Sequence, residues 1–336
     1  MTHAFNGYFR YLSIVVLMSC SGCASVVASA APDTITLTPE RVARNVYYVR
    51  GESGQATTGN RGFTSNAGFV VTSDGVVVFD ALGTPVLGKA LLTAIGKITA
   101  QPVRYVILSH YHADHVYGLQ PFKAAKAEIW ARSEGQIYLH SDLARERLEE
   151  RRKSLAEWIG SDTEVLPADR WLALDAGRTS SFRLGETEFT LVSAGMAHAS
   201  DDMMLFVRNQ SVLFAGDLFY SGRLPFVVDA NTKGWLKAIA SMKALGAERV
   251  VPGHGPVSMD VERDLATTEN YIAFLRSKME IAVSDMRSFD EAYRDIDWTP
   301  FEHLPTFEAA NRRNAYSVYL EMQAELLAGP PGERNE

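Results

Sequence analysis

The sequence predicts an α/β fold, a layered sandwich of strands and helices with a helical C-terminal extension. Three observations predict it. Short β segments bounded by Gly, Asn and Asp turns occur in both halves of the chain, and helical patterns follow each set. Between Val103 and Ala131 an apolar strand, a histidine-rich loop, a helix and another strand follow in succession, an α/β arrangement. From Asp260 to Leu327 the text is mostly helical.

The first β segments are "NVYYVRG", "NAGFVVTSDG" and "GVVVFDA", with Asp74-Gly75 as a hairpin signal between two apolar runs. The stretch "ESGQATTGNRGFTS" between the first two is polar, glycine-rich and without periodicity, a loop long enough to flank a site. Pro85 to Ile98 has helical spacing, with Val86, Leu87, Leu91, Leu92 and Ile95 on one face. "VRYVILS" then reads as a buried strand leading into His110, followed by a helix over Gly118 to Lys126 and the strand "EIWA". Residues 133–158 read as one long charged helix whose "RERLEERRK" makes a solvated face. The second half repeats the β style in "FTLVSAG", "DDMMLFVRN" and "SVLFAGD", then gives the amphipathic helix "NTKGWLKAIASMKALGAE" and the short strand "RVVPGHG". Two helical stretches, "NYIAFLRSKMEIAVSDM" and "NRRNAYSVYLEMQAELL", are separated by Pro300 and Pro305.

With 336 residues, 46% hydrophobic and 22% charged, the chain is long enough to build its own core, and disordered and collagen-like classes are excluded. A formal net charge of −7 gives no electrostatic footprint for nucleic acid, so the expected partner is a small molecule. The first thirty residues read as a bacterial export signal: Arg10, the short apolar core "YLSIVVLM", and small residues ending in Ala28-Ser29-Ala30. That core is far short of the ~20 residues needed to span a bilayer. Both cysteines, Cys20 and Cys23, lie inside this segment. Two outcomes stay open: cleavage after Ala30 to a soluble periplasmic or secreted protein, or a lipoprotein anchored through Cys20 or, failing that, Cys23.

The chemistry concentrates in "SHYHADHVYG", which packs three of the chain's eight histidines and an aspartate into six positions. Each imidazole brings two nitrogens that need partners if buried, and a divalent metal satisfies them. His110 and His112 share a side of an extended segment, and a turn into a helix at Asp114 aims Asp114 and His115 at a neighbouring point. Two metal sites are the expectation. Further donors stand at predicted strand ends, each among small residues that permit sharp turns: His198 in "GMAHASDD", Asp217 in "FAGDLF" and His254 in "VPGHGP". His140 and His303 sit on helical stretches without partner motifs and read as surface or core residues.

These seven residues, in the order H-x-H-x-D-H, H, D and H, resemble the metallo-β-lactamase superfamily over about Val46 to Pro256. The resemblance implies an αββα four-layer sandwich holding two Zn2+ ions, with iron or manganese as substitutes. His110, His112 and His198 would hold the first metal, Asp114, His115 and His254 the second, and Asp217 would bridge them. The implied organisation is a signal over 1–30, a metallo-β-lactamase domain over 33–258, a helical extension over 259–328 and a tail over 329–336. "NAGFVVTSDGVVVFDA", "SHYHADHVYGLQPFK" and "NRRNAYSVYLE" further resemble the SoxH-like zinc metallohydrolases that accompany quinoprotein relay systems.

The implied chemistry is hydrolysis: two metals roughly 3.5–4 Å apart share a hydroxide and polarise the substrate's acyl or phosphoryl oxygen, with Asp114 as the catalytic proton carrier. An aspartate at the bridging position looks like the glyoxalase II, lactonase and phosphodiesterase branches, whereas β-lactamases proper tend to carry Cys or Ser there. The leading expectation is an exported dinuclear zinc hydrolase of a thioester, lactone or β-lactam. An iron-dependent oxidoreductase resembling persulfide dioxygenases is the alternative class, and a non-catalytic binding protein the third. Tyr220, Arg223, Phe226, Arg61 and Phe63 read equally as substrate contacts or as surface arginines and core aromatics.

Overall fold

The computed structural model describes residues 1–2 and 35–328. The expected signal, apart from its first two residues, and the expected tail lie outside them, as do Cys20 and Cys23. From Ile35 onward the chain forms one compact unit.

The first sheet is built from β1 (Glu40–Ala43), β2 (Val46–Val49), β3 (Ala67–Thr72), β4 (Gly75–Phe79), β5 (Val103–Ile107), β6 (Glu128–Arg132) and β7 (Arg170–Leu172), side by side in that order. Its first four strands are antiparallel and the rest parallel. Helices α1 (Pro85–Ile98), α2 (Ala113–Val116), α3 (Leu119–Ala124), α4 (Gly135–Leu139) and α5 (Asp142–Ser154) fall between these strands. The second sheet comprises β8 (Thr179–Leu184), β9 (Thr187–Gly195), β10 (Asp202–Val207), β11 (Val212–Tyr220) and β12 (Arg249–His254) in the order β12-β11-β10-β9-β8. α6 (Thr232–Ala244) joins β11 to its parallel neighbour β12, and α7 (Val261–Ser284), α8 (Phe289–Asp295) and α9 (Phe307–Ala328) follow.

Three buried clusters stack these elements. Tyr48, Val77, Phe79, Ile107 and Trp130 of the first sheet meet Phe189, Leu205, Val212 and Phe214 of the second. Burying side chains of this size contributes roughly 1.5–3 kcal/mol each. Gly68 makes the close approach possible, since a Cβ there would lie 2.0 Å from the Phe214 ring. On the far side of the first sheet, Leu87, Leu91 and Ile95 of α1 pack with Val76, Val78 and Phe122. On the far side of the second, Trp235 of α6, Tyr271 and Leu275 of α7 and Val318 of α9 cover Leu213 and Ala215. The layers are therefore helix, sheet, sheet, helix, with the C-terminal helices thickening the last.

The first helix begins where its sequence says it should: Thr84 accepts from Leu87 N (3.2 Å) and Pro85 occupies the first turn, where no donor is needed. The expected single helix over 133–158 is a correction. It breaks at His140–Ser141, because the Ser141 hydroxyl accepts from Ala144 N (3.1 Å) and donates to Tyr138 O (2.7 Å), capping α5 while closing α4. β1, β7 and β8 are additional; all are short or edge strands with weak apolar alternation. No helix among the described residues is long and apolar enough to cross a membrane.

Candidate metal centre

All seven candidate ligands come together where strand ends of both sheets meet. His110 and His112 follow β5, Asp114 and His115 lie in α2, His198 follows β9, Asp217 lies within β11 and His254 ends β12. They form overlapping groups whose ligand atoms lie within 4.8 Å of one another: His110, His112 and His198; His110, His115 and Asp217; Asp114, His115 and His254. The first and last are the two triads that the resemblance implies. Asp217 faces both, with Oδ2 3.4 Å from His198 Nε2 and 3.3 Å from His254 Nε2, and Oδ1 3.2 Å from His115 Nε2. Asp114 Oδ2 lies 3.4 Å from His254 Nε2.

The far nitrogen of each of four imidazoles is anchored, which fixes the tautomer that a metal ligand needs. The His115 Nδ1–H donates to Asp80 Oδ2 (2.9 Å), that of His254 to Thr64 O (2.7 Å), that of His198 to Phe226 O (3.1 Å) and that of His110 to Ser109 Oγ (2.9 Å). Their Nε2 lone pairs then point inward. His112 presents Nδ1 instead, 2.9 Å from His198 Nε2. His110 Nε2, His115 Nε2 and Asp217 Oδ1 are buried without any hydrogen-bond partner among the described residues. Unpaired buried polar atoms that converge are costly unless a ligand satisfies them. The donor set of imidazole and carboxylate fits a divalent cation such as zinc.

Electrostatics agree. Burial pushes His110 well below its usual range, reinforced by His115 and His112, and burial takes His198 down to about 3. Burial alone would raise Asp217, but His254 and His115 overcome it and hold the carboxyl well below normal. Burial likewise opposes ionisation of Asp114, and His115 and His254 outweigh it. His115 is raised well above the usual value, because Asp217, Asp114 and Asp80 outweigh the penalty of burial. A cation here displaces protons, so its affinity falls with acidification.

Local backbone explains why each side chain points inward. Asp80 leaves β4 in the left-handed region (φ 63°), and its carboxylate accepts from Ser109 N and Ser109 Oγ, both at 2.8 Å. At position 253 only glycine fits: a Cβ would lie 1.9 Å from Asp217 Oδ1. Asn66, at the end of the glycine-rich loop, donates from Nδ2 to Pro252 O and Gly255 O (both 2.8 Å) and accepts from Gly51 N, tying that loop to the His254 turn.

The remaining sequence candidates divide. The Tyr220 hydroxyl donates to Asp217 Oδ2 (2.5 Å), and its ring stacks on His254 at 4.9 Å. Arg223 is almost wholly buried behind His254, 3.2 Å from Nδ1. Phe226 acts through its carbonyl on His198. Arg61 lies over the Trp158 ring at 5.6 Å, and Phe63 is half-buried. His140 and His303 are exposed. Sequence reasoning missed Asp80, Ser109, Thr64 and Asn66, and also Asn314 of α9. Asn314 accepts from Val227 N (2.9 Å) and donates to Pro225 O (2.7 Å), clasping the loop whose Phe226 carbonyl anchors His198. Asp80 had a visible signal, a carboxylate directly after an apolar strand; Asn314 had none.

Comparison with known proteins matches residues 60–254 to the Metallo-beta-lactamase superfamily. Metallo-beta-lactamase IND-1 of Chryseobacterium indologenes is 24% identical over 201 residues, 58% of this chain and 74% of the relative. A Metallo-beta-lactamase type 2 of Bacillus sp. (strain 170) is 25% identical over 230 residues, 67% of this chain and 79% of the relative. Among solved structures, the metallo-beta-lactamase from Pontibacter korlensis superposes with a TM-score of 0.56 at 22% identity, covering 71% of this chain and 99% of that one. The stereoselective inverting sec-alkylsulfatase Pisa1 from Pseudomonas sp. gives 0.65 at 16% identity, covering 89% of this chain. The present chain spans only 52% of that alkylsulfatase. At these identities the superpositions speak to the fold.

Proposed function

The chain belongs to the metallo-β-lactamase superfamily and is a metal-dependent hydrolase, and from that premise we propose a dinuclear zinc enzyme that opens an acyl bond (thioester, lactone or β-lactam) of a small molecule. The observation that carries this reading is the pair of three-residue donor groups with the Asp217 carboxylate facing both. An aspartate in that position favours the thioester and lactone branches over β-lactams.

Bound there, two divalent cations would supply a Lewis acid for the acyl oxygen and a nucleophile from water near neutral pH. The protein's own part is positional and protic. Asp114, its side chain 25% exposed, is the most open of the carboxylates at the centre. Its Oδ2 is turned to His254 and His115, and its other oxygen is left to orient the attacking water and to hold the proton that the leaving group needs. The anchors on Nδ1 of His110, His115, His198 and His254 keep the rings from rotating as charge develops. Tyr220 donates to Asp217 and so keeps that carboxylate ionised and oriented.

Export follows from residues 1–30, with soluble release or lipid anchoring at Cys20 or Cys23 as its two forms. Kinship with the SoxH-like hydrolases of quinoprotein relay systems rests on the three motif stretches quoted above. Elemental analysis of the purified protein tests the core reading, run beside assays with a chromogenic cephalosporin, an S-acyl glutathione and a homoserine lactone. About two zinc per chain with turnover of one substrate, abolished in Asp114→Ala, is the expected result. One iron per chain without hydrolysis would overturn it in favour of redox chemistry.

A further inference from the structure

The turn that carries His198 is too long to set its own width. β9 and β10 pair as far as Gly195 and Asp202, and residues 196–201 join them, whereas the tightest hairpins close over about two residues. Within the turn, Ala197 N donates to Ala199 O (3.0 Å) and Ala199 N to Asp202 Oδ2 (2.7 Å). Asn231 N, just ahead of α6, donates to Ala197 O (2.8 Å). These bonds shape the turn and tie it to its own half of the molecule. From the side of the first sheet, Ser109 O accepts from Met203 N (2.8 Å), but that bond lies on β10, past the turn.

Arg132 supplies the link to the turn itself. It ends β6 in the first sheet and is 3% exposed. Its Nη1 lies 3.2 Å from Gly195 O, 3.3 Å from Ser200 O and 3.4 Å from Asp202 O, one carbonyl ahead of His198 and two behind it. Nη2 pairs with Glu134 Oε1 at 2.7 Å. The planar fork of a guanidinium can serve carbonyls and a carboxylate at once, which an ammonium cannot match. Glu134 directly precedes α4, and Gly135 of that helix fits tightly against both histidine-bearing segments. A Cβ there would lie 2.8 Å from Asp201 Oδ2 in the turn and 2.7 Å from the ring of Tyr111, which stands between His110 and His112. Arg132 and the start of α4 therefore bridge the segments that bring His112 Nδ1 to within 2.9 Å of His198 Nε2. Among the described residues, the far nitrogen of His112 has no hydrogen-bond partner, so the spacing of the two backbones decides how these rings meet.

We propose that Arg132 is a positioning residue for the first metal: by closing the mouth of the turn it fixes where His198 stands relative to His112, without touching metal or substrate. Its influence is confined to the triad of His110, His112 and His198, since among the described residues its side-chain bonds reach none of the segments that carry Asp114, His115 and His254. This assignment rests on the dinuclear hydrolase reading above.

The test is titration of the metal-free full chain with Zn2+ in competition with a chromogenic chelator. His198→Ala and His254→Ala assign the binding steps to the two triads, and denaturant unfolding in EDTA is recorded for every variant. Arg132→Gln should weaken the step that His198→Ala abolishes by about 10–100-fold and leave the other within about twofold. Arg132→Lys, which keeps the charge but spans fewer carbonyls, should show the same selectivity with a smaller loss. Turnover lost at limiting zinc should return at saturating zinc, which a plain folding defect would not allow. Equal weakening of both steps in step with the loss of stability in EDTA would make Arg132 an ordinary structural arginine and overturn the proposal, as would two unchanged steps. If Arg132→Gln does not fold, Arg132→Lys decides by the same criteria. A wild type with a single step, abolished by His198→Ala and weakened by Arg132→Gln, would remove the dinuclear reading and leave the role of Arg132. Two steps in wild type, both indifferent to Arg132, would do the reverse.

Discussion

The two halves of the molecule contribute to the metal centre in opposite ways. The first delivers four candidate ligands from six consecutive positions, His110 to His115, and steadies them with neighbours on the same sheet, chiefly Asp80 and Ser109. The second delivers three from separate strand ends, His198, Asp217 and His254. It holds two of them by contacts across the fold, His198 through the Phe226 carbonyl in the loop that Asn314 clasps and His254 through the Thr64 carbonyl, while Asp217 takes the hydroxyl of Tyr220 three residues on in the same strand. Compact motifs are positioned locally and dispersed ligands globally. Damage to the contacts that position the ligands should therefore reach the metal through affinity in the first half and through stability in the second.

The largest test of that contrast is Asp217→Ala, which removes the carboxylate that faces both triads. Metal content should fall below two per chain and kcat/KM by about 10^3 or more, about 4 kcal/mol of transition-state stabilisation. Full metal content by elemental analysis would show that the two triads do not depend on it.

Asp80→Asn and Asn314→Ala then set the halves against each other. Asparagine suits the left-handed backbone at position 80 but is a weaker acceptor for His115, so metal affinity should drop about 10–100-fold. Thermal unfolding of the metal-free protein should barely move. Asn314→Ala leaves a buried amide and carbonyl unpaired and should cost about 2–4 kcal/mol even in EDTA, read by denaturant titration. If Asn314→Ala instead lowered metal affinity at unchanged stability, the contrast would fail.

The smallest expected effect is pH-linked. Burial raises Asp201, between His198 and β10, to about 7, so the folded state holds a proton there that the unfolded chain has already released. That penalty grows as pH rises from about 4 and is complete above about 7. Asp201→Asn should therefore raise the melting temperature by a few degrees at pH 8 and by less at pH 4.5, a trend that scanning calorimetry at the two pH values would expose or deny.

The layers were legible in the sequence because the strands and α1 carry their own periodicity and caps. The seven-residue constellation was legible because histidines are scarce and sit at strand ends. What could not be read depends on distance along the chain. Asn314 meets partners 87 and 89 residues away, and nothing in "NRRNAYSVYLE" separates it from a surface asparagine. The break at Ser141 and the half-buried positions of Arg147 and Arg151 were hidden for a different reason: a charge-rich helix reads as solvated whichever way it is rotated, since its apolar stripe is only Ala144, Leu148 and Leu155.

Asn66 joins Gly51 to the turn at His254 with one side chain, bridging 186 residues to Pro252 and 189 to Gly255. This has a consequence for the order of assembly. As the chain lengthens from its N-terminus, the histidine loop is complete long before the last ligand and the residues that pin it have been made. Long-range closures of this kind are slow and come late. A nascent chain therefore passes through a stage in which His110, His112 and His115 are available without Asp217 or His254, and any ion bound then is held by an unfinished coordination set and is readily exchanged. The coordination set is complete only once His254 has been made and Asn66 has met Pro252, after most of the polypeptide is in hand.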